Sequence, residues 1–101
     1  MMTRMIKMNT KEHTMTPDGD IIVDETYKGE LGETITRLRG KQFTCTCNNT
    51  LKLDTFAAYP HYGGLADIDG KHWWLYVTCP HCNYEWSWHK ILSRLQRRNN
   101  V

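Results

Sequence analysis

Leu75-Tyr76-Val77-Thr78-Cys79-Pro80-His81-Cys82-Asn83-Tyr84-Glu85-Trp86 decides the fold of this chain. It continues the run Lys71 to Thr78, aromatic and β-branched throughout and the strongest strand pattern present. The run stops at Cys79 and Cys82, spaced C-x-x-C and followed by Asn83. A tight turn of this kind aims backbone N–H groups at the sulfurs. Asn83 can take the left-handed conformation usually given to Gly. Asn83 to Trp88 then reads as another strand, with Tyr84, Trp86 and Trp88 on one face. Upstream, Cys45-Thr46-Cys47 forms a second close pair, separated from the first by 31 residues. Four thiolates in two pairs can complete a tetrahedron around zinc. The first pair is shorter than a C-x-x-C, and a long hairpin absorbs the spacer.

Three other uses of these cysteines fit the sequence less well. A disulfide pair needs an oxidising compartment, whereas Met1 to Thr10 has a charge but no apolar h-region, so a secretory signal is not expected. Redox chemistry at Cys79 and Cys82 lacks the βαβ setting of a thioredoxin-like site. A mixed site would recruit His81 or His89. The expected set is Cys45, Cys47, Cys79 and Cys82 around one structural Zn²⁺. A closed site of that kind leaves no open position for water, so the metal supplies folding energy rather than catalysis.

That energy matters in a chain of 101 residues with 40% hydrophobic side chains, which can bury only a small core. The length excludes barrels and doubly wound sheets. No apolar run approaches the ~20 residues of a membrane span, and a cytoplasmic location is expected. The formal charge of +2 is unevenly placed. Asp18 to Glu33 holds six acids against Lys28, whereas residues 89–101 carry Lys90, Arg94, Arg97 and Arg98 and no acid. Such a basic end fits either a nucleic-acid contact or a solvated helix face near its negative dipole end.

Residues 1–17, polar and containing all five methionines, read as a mobile arm, and 18–101 as a single domain. A short strand is expected over Ile21 to Asp24. Leu31, Ile35 and Leu38 suit a helix, although the alternation around them suits a strand almost as well. Leu51, Leu53, Thr55 and Ala57 alternate as a strand, Tyr59 to Gly64 reads as a loop, and Asp69-Gly70 as a type I′ hairpin turn. Trp88, Ile91, Leu92 and Leu95 mark a C-terminal helix from about Ser87. The expected fold is a small zinc-stabilised, β-rich α+β domain. It has a three- or four-stranded antiparallel sheet and a C-terminal helix.

Gln42-Phe43-Thr44-Cys45, together with Leu75 to Trp86, resembles the carboxy-terminal zinc ribbon of transcript-cleavage factors and related small RNA polymerase subunits. That family shows an aromatic-Thr-Cys entry, a β-hairpin, and C-x-x-C followed after three residues by Trp. The resemblance covers about residues 42–88 and implies a ribbon fold with RNA polymerase as one possible partner. The cleavage factors carry an adjacent Asp-Glu pair at the hairpin tip. Here Asp67-Ile68-Asp69 stands near that place without the adjacent pair, and Asp69 reads more simply as part of the turn.

His61, Asp67, Asp69 and His72 do not make a ββα-metal nuclease site, because no helix fits between Asp69 and Cys79. Strand alternation separates Trp73 from Trp74, so one packs inward and the other can reach the surface. The expected function is a non-enzymatic accessory protein binding nucleic acid or a nucleic-acid-handling complex. Its contacts would be Lys90, Arg94, Arg97 and Arg98, with Lys71 and Trp74 adding surface. One alternative is a protein-only adaptor or inhibitor of viral or mobile-element type, using exposed aromatics and the acidic Asp18–Glu33 segment. The other is a transcript-cleavage cofactor acting through Asp67 and Asp69.

Overall fold

The computed structural model describes residues 19–99, with side chains through Gln96. The arm read over residues 1–17 lies outside the described residues. The elements in chain order are β1 (Ile21–Val23), α1 (Glu30–Leu38), β2 (Gln42–Thr44), β3 (Thr50–Lys52), β4 (Phe56–Ala66), β5 (His72–Thr78), β6 (Glu85–Ser87) and α2 (Trp88–Asn99). Strands β1, β4, β5 and β6 form a four-stranded sheet in the order β1-β4-β5-β6, with every neighbouring pair antiparallel. Strands β2 and β3 pair by themselves as an antiparallel hairpin. No helix among the described residues is long and apolar enough to cross a membrane.

Register places apolar residues of all four strands on a common face, because side chains directly opposite in an antiparallel pair point the same way. Val23 lies opposite Phe56, Ala58 opposite Leu75, and Val77 opposite Trp86, and all six are buried. Helix α1 covers this face with Leu31, Ile35 and Leu38, each fully buried. That packing settles the ambiguity of the segment in favour of a helix: the three apolar residues fall on one helical stripe facing the sheet. Ile91 of α2 enters the same core, and Trp88, Leu92 and Leu95 pack against it.

Four sequence expectations are corrected. The strand expected through Leu51 to Ala57 is two strands. After β3 the chain turns so that Leu53 N–H bonds Lys41 O (2.9 Å) and Gly40 N–H bonds Leu53 O (3.0 Å), and β4 starts only at Phe56. Alternation failed here because Phe56, Ala57 and Ala58 are all buried, one face against α1 and the other beneath Tyr76, which lies across from Ala57. The expected loop Tyr59 to Gly64 is strand: β4 runs to Ala66, with a register shift between Pro60 and Leu65, both of which lie opposite Trp73. Gly64 sits where an added Cβ would run into the Trp73 backbone, so the bulge closes only on a glycine.

The hairpin turn is not type I′. Gly70 has φ 85°, but Asp69 is not among the residues with positive φ. Gly70 N–H bonds Asp67 O (3.1 Å) and Asp67 N–H bonds Lys71 O (2.8 Å), a three-residue loop with a glycine bulge. Asp67 organises it. Its Oδ1 accepts from the N–H groups of Asp69 (2.8 Å) and Lys71 (3.1 Å), and its Oδ2 accepts from Trp73 Nε1–H (2.8 Å). Finally, the strand expected to Trp88 ends at Ser87, and Trp88 opens α2.

Candidate metal centre

The two hairpins deliver the cysteines on matching turns. In the first, β2 ends at Thr44, Asn48 N–H bonds Cys45 O (2.9 Å), and Cys45 N–H bonds Asn49 O (2.9 Å) before β3 begins. In the second, Asn83 N–H bonds Cys79 O (2.8 Å) and Cys79 N–H bonds Tyr84 O (3.0 Å) before β6 begins. Each turn is closed by an asparagine in the left-handed region immediately after its second cysteine: Asn48 at φ 72° and Asn83 at φ 66°. Asparagine tolerates that conformation better than other non-glycine residues. The role of Asn83 was legible in the sequence. That of Asn48 was missed, although the same Cys-Asn step marks it.

The four sulfurs converge to within 4.8 Å of one another. Sγ of Cys45 lies 3.7 Å from Sγ of Cys82, and Sγ of Cys47 lies 3.8 Å from Sγ of Cys79. Tetrahedral zinc with Zn–S bonds of about 2.3 Å requires about 3.8 Å between sulfurs. A disulfide requires about 2.05 Å, and all four are free cysteines. The donor set and its spacing therefore fit one tetrahedral metal ion. His81 and His89 lie outside the cluster. The His89 ring instead meets Ser87 Oγ through Nδ1 (3.1 Å) and packs edge-on to Trp74.

Donors surround the sulfurs. Burial pushes the Cys45 thiol up, but the backbone N–H of Cys47, the indole N–H of Trp86 and the neighbouring thiols outweigh it and bring its pKa down to about 6. The Trp86 Nε1–H donates to Cys45 Sγ at 3.3 Å. Cys47 is lowered by the Asn49 side chain, whose Nδ2–H reaches its Sγ at 3.4 Å, and by the Asn49 backbone N–H. At Cys82 the Tyr84 backbone N–H lowers the pKa, yet desolvation and the other three sulfurs overcome it and raise the value to about 12. Four sulfurs this close compete for protons, and only a cation among them lets all four be thiolates.

Trp86 and Arg94 brace the first turn, and their roles were not read from the sequence. Phe43 packs edge-on to Trp86 with ring centroids 4.9 Å apart. The Arg94 guanidinium lies over the Trp86 ring, 5.2 Å from its centroid, and its Nη1–H donates to Thr44 O at 3.0 Å. Thr44 directly precedes Cys45, so this half-buried arginine holds the turn that presents a ligand. The spacing of Trp86 after Cys82 was visible as a motif, whereas Arg94 lay 50 residues from Thr44 with no local signal.

The remaining expected contact residues are dispersed. Lys90 is exposed, its Nζ donating to Tyr84 Oη (2.8 Å) above that ring. Lys71 is exposed at the β4–β5 turn. Arg97 and Arg98 belong to α2, and their side chains lie outside the described residues. Trp73 packs against the core, whereas Trp74 faces the opposite side, half-buried among His61 (5.0 Å), Trp88 (4.8 Å) and His89 (5.3 Å). The acidic segment is largely used inside the fold. Asp20 accepts from Tyr76 Oη–H, Asp24 from Thr26, Glu30 from Ala66 N–H, and Glu25 pairs with Arg39. No protein-family profile, no curated protein and no solved structure matches the chain, so the four-cysteine cluster and its two asparagine-closed turns are the firmest guide to what it is.

Proposed function

We propose that Cys45, Cys47, Cys79 and Cys82 hold one structural Zn²⁺, that the chain is a zinc ribbon, and that it serves as a non-enzymatic accessory protein binding nucleic acid or a nucleic-acid-handling complex. Zinc is favoured by a four-thiolate tetrahedral donor set. All four positions are filled by protein, so the ion's part is to hold the two hairpins together.

The observation that carries the binding reading is the unequal use of charge. Asp20, Asp24, Glu25, Glu30 and Asp67 are tied into internal hydrogen bonds or an ion pair. Arg37, Lys41 and Lys52 have no side-chain hydrogen bond or ion pair among the described residues. Most acids thus contribute to the fold, with Glu33, Asp54 and Asp69 exposed and without a side-chain partner among the described residues. Arg37, Lys41, Lys52 and Lys71 remain available to a polyanion, and α2 adds Lys90, Arg97 and Arg98. Binding of a labelled oligonucleotide, followed by fluorescence anisotropy across a salt series, tests this. Affinity falling linearly on a log–log plot supports it. No binding at low salt would reject it.

A protein-only adaptor is favoured by one specific feature: Tyr62 is 93% exposed and Ile68 is 69% exposed at the end of the β4–β5 hairpin. A stable protein partner in a pull-down, with no oligonucleotide affinity, is its signature. The transcript-cleavage reading has less support, because the Asp67 carboxylate is engaged by three donors within the hairpin turn.

A further inference from the structure

An open groove of about 1090 Å³ lies between the C-terminal end of α1, the β2–β3 hairpin and α2. Its cations are Arg37, Lys41 and Lys52, all exposed, and no acid lines it among the described residues. Its apolar part is Leu38, Leu92 and Leu95, the latter two half-buried. Nearby Arg39 shows what a structural cation looks like in this protein: it pairs with Glu25 and donates to Asp54 O (2.6 Å). Among the described residues the three groove cations make no such bonds. Arg37 and Lys41 gain something from the negative end of the α1 dipole. Lys52 stands on β3 and gains nothing from it, so helix capping does not account for the set.

We propose that this groove is a single-stranded nucleic-acid site, in which Arg37, Lys41 and Lys52 meet phosphates and bases lie against Leu92 and Leu95. The assignment rests on the nucleic-acid reading above and places its main contact away from Arg94. Charge selects a polyanion. The apolar lining selects one whose base faces are free, which a duplex does not offer. Gln96 also lines the groove, and its amide has both a donor and an acceptor for base edges. An acidic peptide would pair with the same cations but has no base faces, and competition by poly-glutamate separates the two.

The test is anisotropy with a labelled 12-nucleotide single strand, a duplex of equal length and poly-glutamate as competitor. The proteins are wild type, the triple variant Arg37→Gln/Lys41→Gln/Lys52→Gln and the exposed-site control Lys28→Gln. Far-UV circular dichroism and zinc content establish that each is folded, and Lys52→Glu alone serves if the triple variant is not. With about 0.7 per single-strand phosphate contact, the salt slope of the triple variant becomes shallower by about 2, and affinity at 0.1 M salt drops about tenfold or more. Lys28→Gln stays within about twofold. If wild type binds and the triple variant matches it in affinity and slope, the groove is wrong while the binding reading stands. If wild type binds no oligonucleotide, both fail. Equal affinity for the duplex, or equally effective competition by poly-glutamate, overturns the single-strand assignment.

Discussion

Replacing Arg94 with Met separates two roles that the sequence could not distinguish. Methionine keeps most of the aliphatic stem and removes the guanidinium. In the structure that group donates to Thr44 O at 3.0 Å and covers the Trp86 ring at 5.2 Å. A hydrogen bond from a charged donor contributes roughly 1.5–3 kcal/mol, and a cation–π contact at a partly exposed site roughly 0.5–1 kcal/mol. Arg94 is only half-buried, so the lower ends apply, and the loss is about 2 kcal/mol. The damage falls on the first cysteine turn, since Thr44 precedes Cys45 and Trp86 donates to Cys45 Sγ. Urea unfolding at fixed free zinc reads this, because metal raises apparent stability by mass action. Arg94→Met is expected to lose about 2 kcal/mol while the folded protein binds oligonucleotide within about twofold of wild type. A cation whose only partner is phosphate behaves the other way: stability shifts by less than about 0.5 kcal/mol, and binding weakens with a shallower salt slope. That second pattern refutes the bracing role.

Gly64→Ala places a methyl against the Trp73 backbone, which cannot move without breaking the β4–β5 ladder, so thermal unfolding should show a loss of about 1–3 kcal/mol. An unchanged melting temperature contradicts the close packing of the bulge. Burial raises the Asp67 pKa, but bonds from Trp73, Asp69 and Lys71 outweigh it and hold the carboxyl below its usual range. Its folded pKa is therefore below the unfolded value of about 3.9. Its contribution is fully present above that value and fades as pH falls through the folded pKa. Asp67→Asn should flatten the acid end of the stability profile, and a profile superimposable on wild type contradicts this. Trp86→Phe keeps an aromatic ring beside Phe43 but removes the indole N–H at Cys45. Chelator competition should then extract the metal more easily, and an unchanged chelator midpoint rejects the role of that bond.

How far each part could be read in advance follows from where its determinants lie. Strand β5, strand β1 and helix α2 are set by local pattern, and the structure has them within a residue of the expected Lys71 to Thr78, Ile21 to Asp24 and the helix of the Trp88-Ile91-Leu92-Leu95 stripe. The cysteine cluster was legible because both pairs sit at strand ends, where a hairpin presents them. Helix α1 could not be decided locally: Leu31, Ile35 and Leu38 become a helix through the sheet face they cover. The break at Leu53 depends on its bonds to Gly40 and Lys41, a dozen residues back, and periodicity cannot see those. At the hairpin, Asp69-Gly70 suggested a two-residue turn, but the carboxylate of Asp67 captures the N–H groups and shifts the loop by one residue. The bond from Arg94 to Thr44 was hidden for the same reason as those of Leu53. The partners of Arg94 are distant in sequence, and a cation on a basic helix otherwise suggests a solvent-facing charge.

If Cys45, Cys47, Cys79 and Cys82 hold a metal that the fold depends on, elemental analysis of the purified folded chain and circular dichroism during chelation reveal it. One zinc per chain, with loss of the folded signal as the metal is withdrawn and recovery when zinc is restored, is the predicted result. A chain that is fully folded with well below one equivalent of metal, or that keeps its fold after complete extraction, contradicts it.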